Sequence, residues 1–156
     1  MACLSCIGLE LVSKGKGGRP KGALVKCDGK WTQAEFNNFI KNNLRQATRK
    51  WAPIQNCKKR ANVARGQYKC DCCGEIVPPT IYDEVKGKRT SNIFVDHICP
   101  IIDPSIGFVS WDETIERMFC DSSNLQLLCK KCHSLKSQEE ISTAVERRNR
   151  EKLSAI

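Results

Sequence analysis

The chain has 156 residues, 40% of them apolar and 28% charged, with a net charge of +9 at neutral pH. That length supports one modest core with appendages, and the balance is that of a globular chain, not a fibrous or wholly disordered one. No apolar run approaches the ~20 residues of a membrane-crossing helix, and the opening Met1-Ala2-Cys3-Leu4-Ser5-Cys6 lacks the basic stretch of a secretory signal, so a cytoplasmic, intracellular protein is expected.

The charge is uneven. Residues 1–66 carry 14 Lys/Arg against 3 Asp/Glu, whereas residues 67–156 carry 12 against 14. A basic half joined to a nearly neutral one points to a part that grips nucleic acid beside a part with other work. A soluble protein with a basic tail is the plainer alternative.

Residues 1–30 read as a basic, flexible arm. Lys14 to Gly22 is rich in glycine and charge without an apolar period, so it cannot bury a core. Its Gly18-Arg19-Pro20 core is either part of a linker or a hook that lays Arg19 along the minor groove of A·T-rich DNA. A helix is expected from Thr32, where Thr32 and Glu35 make a capping box. Phe36, Phe39, Ile40, Leu44, Ala47 and Trp51 follow helical spacing as a core or docking stripe. Lys41, Arg45 and Arg49 share another face, suited to tracking phosphates or to solvent, and Pro53 ends the run. A second helix, Gln55–Arg65, carries Lys58, Lys59 and Arg60 and closes on Gly66. Residues 31–66 thus read as a basic helical DNA-binding extension.

The character then changes. Cys70-Asp71-Cys72-Cys73-Gly74 has the composition of a tight metal-binding turn. Thr80–Lys86 and Ser91–Ile98, joined at Gly87-Lys88, read as a β-hairpin. Ile101–Asn124 is a long loop with a small helix at Trp111–Phe119. Leu125–Leu128 is a short strand, a helix follows from about Lys130, and residues 141–156 form a charged terminal helix or tail.

Eleven cysteines without a secretion signal favour metal ligation over disulfides. Cys3/Cys6, Cys70/Cys73 and Cys129/Cys132 are C-x-x-C pairs. Two such turns brought together give a tetrahedral four-cysteine zinc site with Zn–S of about 2.3 Å. A filled thiolate shell leaves no open position, so its role is structural. Cys70/Cys73 and Cys129/Cys132 are the expected pair of turns, although 55 residues separate them and Cys72 rivals its neighbours for a ligand position. Cys3/Cys6 reads as a thiol pair without a partner. Cys27, Cys57, Cys72, Cys99 and Cys120 are left over, and most read as small buried hydrophobes.

Both histidines of the chain fall inside informative words: Val95-Asp96-His97-Ile98-Cys99-Pro100, and Asn124-Leu125-Gln126-Leu127-Leu128-Cys129-Lys130-Lys131-Cys132-His133-Ser134-Leu135-Lys136. Asp-His at a strand end sets a hard oxygen ligand beside an imidazole able to act as a general base. Taken singly, either histidine reads as a hydrogen-bonded structural residue. Combined with the knuckles and Asn124, they read as a catalytic constellation.

These words resemble the HNH endonucleases, the ββα-metal or His-Me finger family, over about residues 68–140, and in particular free-standing phage HNH nucleases with a four-cysteine zinc site. The resemblance implies an α+β fold: a ββα-metal finger with a structural zinc at 67–140, here with the basic helical extension before it. It implies that His97 is the general base, that Asp96 and His133 hold one catalytic Mg²⁺ or Mn²⁺, and that Asn124 pins the loop and orients His97. Cys70, Cys73, Cys129 and Cys132 match the zinc cysteines, and Lys136 either touches a phosphate or is solvated. The dipole of the helix beneath His133 would favour the phosphate and keep that imidazole neutral. The 26 residues between His97 and Asn124 are a long stretch for the family, so Trp111–Phe119 is expected to contact DNA or the core.

The expected function is a metal-dependent endonuclease or nickase acting on double-stranded DNA, gripped by Arg19, Lys41, Arg45, Arg49, Lys58, Lys59, Arg60 and Lys136. A homing or phage-competition role fits by analogy. Cutting both strands with one active site calls for a homodimer or two sequential nicks. The alternatives are a non-catalytic zinc-stabilised nucleic-acid-binding module and an accessory that nicks within a larger packaging or recombination complex.

Overall fold

Thr32 starts the first helix by reciprocal capping. Its N–H donates to Glu35 Oε2 at 2.8 Å, and the Glu35 N–H donates to Thr32 Oγ1 at 3.2 Å. The result is α1, Gln33–Thr48. The computed structural model describes residues 22–154, so Arg19, the Cys3/Cys6 pair and most of the expected arm lie outside the described residues. Ahead of α1, β1 (Leu24–Lys26) pairs with β2 (Trp31–Thr32). The chain divides into two compact units, Met1–Ile40 and Lys41–Ile156, with the boundary inside α1.

No residue of α1 is fully buried. In the first unit Trp31 packs on Phe39 with ring centroids 5.3 Å apart. The helix stops at Thr48, before Pro53, because Trp51 caps a new helix, α2 (Ala52–Arg60), with proline in its first turn.

The second helix is shorter than its composition suggests. Asn62–Ala64 (β3) leaves it to pair with Gln67–Lys69 (β4), and Ile76–Val77 (β5) adds a third strand. Gly66, at φ +70°, supplies the left-handed residue of the β3–β4 turn and is not a helix C-cap. Asn62 and Val63 are weak helix formers, and the Lys69 N–H donated to Ala61 O at 2.8 Å draws the chain into the sheet.

The expected hairpin forms as β6 (Thr80–Asp83) with β7 (Lys88–Ser91), but its second arm stops at Asn92. The Asn92 side chain donates to Pro78 O at 3.0 Å, its N–H donates to Pro79 O at 2.9 Å, and its carbonyl accepts from Lys130 N at 3.0 Å. The chain beyond it, β8 (Ile93–His97), pairs antiparallel with β9 (Leu125–Cys129), from Ile93 opposite Cys129 to His97 opposite Leu125. Ser91–Ile98 is therefore shared between two sheets. Between β8 and β9 lies α3 (Trp111–Met118), capped by Ser110, whose hydroxyl accepts from Glu113 N. A 3₁₀ turn, Ser122–Asn124, leads into β9. The last helix and the charged tail are one element, α4 (Lys130–Ser154, 25 residues). The architecture is mixed α+β.

The core of the second unit is built on β9. Leu125, Leu127 and Leu128 are at most 2% exposed and cluster with Cys57 of α2 and Ala61 just after it, with Cys70, Val77 and Ile93, and with Cys129 and Cys132. A helix expected to belong to a separate extension ending at residue 66 is thus part of the same core as the cysteine turns. Of the leftover cysteines, Cys57 is buried as expected, whereas Cys27, Cys72 and Cys99 are exposed and Cys120 is half-buried. Leu127 has no exposed surface, so Leu127→Ala is expected to cost about 2–5 kcal/mol of stability. Urea denaturation should show this as a lower midpoint at unchanged slope.

Candidate active site

Two turns bring four thiols together. Cys70 follows β4 and starts a tight turn closed by Gly74 N–H donating to Cys70 O at 2.9 Å and by Cys70 N–H donating to Glu75 O at 2.9 Å. Gly74, at φ +72°, reverses the chain there. Cys129 ends β9, and Cys132 lies in the first turn of α4. The Sγ atoms of Cys70, Cys73, Cys129 and Cys132 all lie within 4.8 Å of one another. Cys73 and Cys129 are 3.9 Å apart, near the ~3.8 Å edge of a tetrahedron with 2.3 Å Zn–S bonds. The four can hold a structural metal such as zinc. Cys72 is exposed and outside the cluster, which decides between it and its neighbours.

The electrostatics of the cluster are those of thiols sharing too little space. Burial opposes ionisation of Cys70, but N–H groups of Cys73, Cys129 and Cys72 outweigh it and bring this thiol down to about 7. Cys132 is pushed upward, first by its hydrogen bond with Cys129 and then by burial. Further thiolates gather unfavourably beside the first, and a divalent cation removes that penalty.

Asp71, between the two cysteines of the first turn, fastens the cluster to the sheet. Its N–H donates to Leu127 O at 2.8 Å, and its Oδ2 accepts from Leu127 N at 2.7 Å. Arg60 Nη2 reaches the same oxygen at 3.3 Å and Leu125 O at 3.2 Å. Arg60, expected to contact DNA, is a brace between α2, the turn and β9, with about half of its side chain exposed. Only the position of Asp71 inside the cysteine word hints at this in the sequence.

β8 ends, and β9 begins, at the second constellation. His97, the last residue of β8, is half-buried, with Nε2 3.3 Å from Met118 O at the end of α3. A carbonyl only accepts, so Nε2 carries the proton of a neutral ring and Nδ1 keeps a lone pair. Asn124 clamps the chain just beyond: its Oδ1 accepts from Cys99 N at 2.8 Å, its Nδ2 donates to Cys99 O at 3.2 Å, and its carbonyl accepts from Ile98 N at 2.9 Å. The long segment after His97 is buttressed from within. Thr114 and Met118 are buried, Trp51 Nε1 donates to Cys120 O at 2.8 Å, and Trp51 meets Phe119 edge-on. The contribution of Met118, made through its backbone, has no signal in the sequence.

Asp96 and His133 do not pair directly in the structure. The Asp96 Oδ2 accepts from Lys136 Nζ at 2.6 Å. His133 stacks on Phe94 at 4.4 Å between centroids, with the rings 17° apart. Phe94 and Asp96 share a face of β8, so α4 runs over that face with His133 on one residue and Lys136 on the next. Lys136 is neither solvated nor free: Nζ also donates to His97 O and pairs with Glu140 Oε1 at 2.9 Å. Burial lowers the proton affinity of this ammonium, but Asp96 and Glu140 outweigh burial and raise it. Glu140, four residues beyond Lys136 on α4, was not among the expected site residues, although that spacing is legible as a helical ion pair.

A cleft of about 240 Å³ opens over Asp96, His97 and Lys136, walled by Pro100, Ile101, Ile102, Thr114 and Met118. Lys41 and Arg45, on the part of α1 within the second unit, also line it. His133 does not. Arg49 and Lys58 line a different groove, beside Thr80 and Ser91, and Lys58 and Lys59 line a third with Tyr68. The expected phosphate-gripping residues are therefore distributed over several grooves, with three, Lys41, Arg45 and Lys136, at the candidate catalytic residues. Comparison with protein-family models, with curated proteins and with solved structures finds no match to this chain.

Proposed function

We propose that this chain is a metal-dependent endonuclease of the HNH kind that hydrolyses phosphodiester bonds in double-stranded DNA, with β8, β9 and α4 as a ββα-metal finger. The observation that carries this reading is the fixed His97: a strand-end imidazole whose Nε2 meets a backbone carbonyl, in a clamped loop and lining a cleft with Lys41, Arg45 and Lys136. A binding module has no use for such an arrangement.

In this reading His97 Nδ1 takes the proton of the attacking water. Asp96 on β8 and His133 on α4, which do not pair directly, would together offer a carboxylate and an imidazole suited to Mg²⁺ or Mn²⁺ completed by water. A divalent ion held by these residues would supply positive charge against the charge that develops during phosphodiester hydrolysis. Asn124 holds the strand end, and Lys41 and Arg45 seat the phosphate backbone. The four cysteines, loaded with zinc, fix β9 against the first turn and leave the chemistry to the cleft.

The test is a supercoiled-plasmid assay of zinc-loaded protein with Mg²⁺, Mn²⁺ or EDTA. Nicked or linear product is expected with either ion and none with EDTA. Full cleavage in EDTA, or none by the folded protein on varied DNA, would set the reading aside in favour of the zinc-stabilised binding module. The double variant Lys41→Ala/Arg45→Ala is expected to weaken DNA binding and to flatten the slope of log K against log salt by about 0.9 per lost phosphate contact. Fluorescence anisotropy over a salt series measures it, and an unchanged slope removes these residues from the interface.

A further inference from the structure

The Lys136 ammonium donates to two acceptors, Asp96 Oδ2 at 2.6 Å and His97 O at 2.5 Å, and pairs with Glu140 Oε1 at 2.9 Å. Its side chain and that of Asp96 are 24% and 22% exposed. Solvent-exposed ion pairs usually hold little, but this one is half-buried and joins α4 to the end of β8. One cation thereby touches the carboxylate of a proposed metal ligand and the backbone of the proposed base. Glu140, one helical turn beyond Lys136, offers the same ammonium a second carboxylate.

We propose that Lys136 is a positioning residue that orders the Asp96–His97 strand end and competes with the divalent ion for Asp96, with Glu140 setting the strength of that competition. The inference rests on the nuclease reading. Two cations cannot both take Asp96 Oδ2 at full strength, because each raises the electrostatic cost of the other. Asp96 would therefore have to leave Lys136 to hold a divalent ion, and the ammonium would be retained by Glu140 and by the His97 carbonyl. Site order is kept by this lysine before the ion arrives, and metal affinity is lower in return.

The consequences run in opposite directions. Lys136→Met removes the competitor, so Mn²⁺ affinity is expected to rise roughly tenfold to thirtyfold, the size of a charge–dication interaction at about 4 Å in a water-like medium. The same variant loses an anchor of the strand end, so its kcat should fall at little change in KM, with partial recovery in Lys136→Arg. Glu140→Gln leaves Lys136 more firmly on Asp96, so Mn²⁺ affinity should fall by several-fold.

The experiment is an electron paramagnetic resonance titration of free Mn²⁺ against the full, zinc-loaded chain. Wild type, Asp96→Asn, Lys136→Met and Glu140→Gln are compared, with zinc content and circular dichroism matched. Asp96→Asn should lose the site. If it binds Mn²⁺ as wild type does, Asp96 is not a ligand and the nuclease reading loses its metal site. If Asp96→Asn loses binding while Lys136→Met and wild type bind equally, the competition is overturned and the nuclease reading stands. Should Lys136→Met fail to fold, Glu140→Gln decides alone: weaker binding supports the proposal, and equal or tighter binding overturns it.

Discussion

His97→Ala is expected to reduce DNA cleavage by roughly 10²–10⁴-fold, the usual contribution of a positioned general base, without loss of the fold or of DNA affinity. The separation of effects follows from how little structural weight the ring carries. His97 is half-buried at a strand end and makes one described side-chain contact, 3.3 Å from Met118 O. The pairing of β8 with β9 uses its backbone, which alanine keeps. In the contact with Met118 O it is Nε2 that bears a hydrogen, which in a neutral ring leaves Nδ1 as the acceptor. Single-turnover cleavage measures the first quantity, anisotropy the second and thermal denaturation the third. Cleavage near the wild-type rate in a folded variant removes His97 as the base. Loss of cleavage together with loss of DNA binding would point to a structural role.

How much of this was legible in the sequence depends on how local each interaction is. The Thr32–Glu35 capping box, the helix after Ser110 and the strand at Leu125 were readable because their signals lie within a few residues. The end of α2 was not. Lys58, Lys59, Arg60 and Arg65 keep a helical composition going, whereas the backbone of Asn62–Ala64 finds its partners in Gln67–Lys69. The division of Ser91–Ile98 was hidden for the same reason: β8 meets a strand that begins 28 residues after His97, and Asn92 marks the break by bonds to Pro78, Pro79 and Lys130. At the candidate site the informative residues stand out by their words, but the words do not show which charged side chains pair across the fold. Arg60 looks like a phosphate ligand until Asp71 is placed beside it. Lys136 looks solvated until α4 crosses β8. A side chain's charge is written in the sequence, but its partner across the fold is not.

The cysteine cluster carries the other large expected effect. Structural zinc binds small domains with an apparent free energy of about 10–16 kcal/mol, comparable with or above the ~5–15 kcal/mol net stability of a whole domain. Removing it from Cys70, Cys73, Cys129 and Cys132 leaves four crowded thiols between β4, β9 and α4, where Cys70, Cys129 and Cys132 are also members of the core. Chelation of the zinc-loaded protein is therefore expected to abolish or greatly broaden its cooperative thermal transition. The effect should grow with acidity, and its sign follows from protons. Zinc takes thiolates, so binding expels protons, and lowering the pH favours release. Cys70 is held down, at about 7, whereas Cys73 and Cys132 are raised. Their deprotonation depends on the ion, so stability conferred by zinc should be full in mildly alkaline solution and decline as pH falls below neutrality. A chelating dye that reports released zinc, read beside circular dichroism across a pH series, checks both the stoichiometry of one ion and its coupling to the fold. Cys129→Ser should lose the ion and the sharp transition together. Cys72→Ser, altering a thiol that is exposed and outside the cluster, should change neither. If both variants lose zinc equally, the ligand set includes Cys72. If zinc leaves and the melt stays sharp at the same midpoint, β9 is held by Leu125, Leu127 and the Asp71–Arg60 brace without help from the metal.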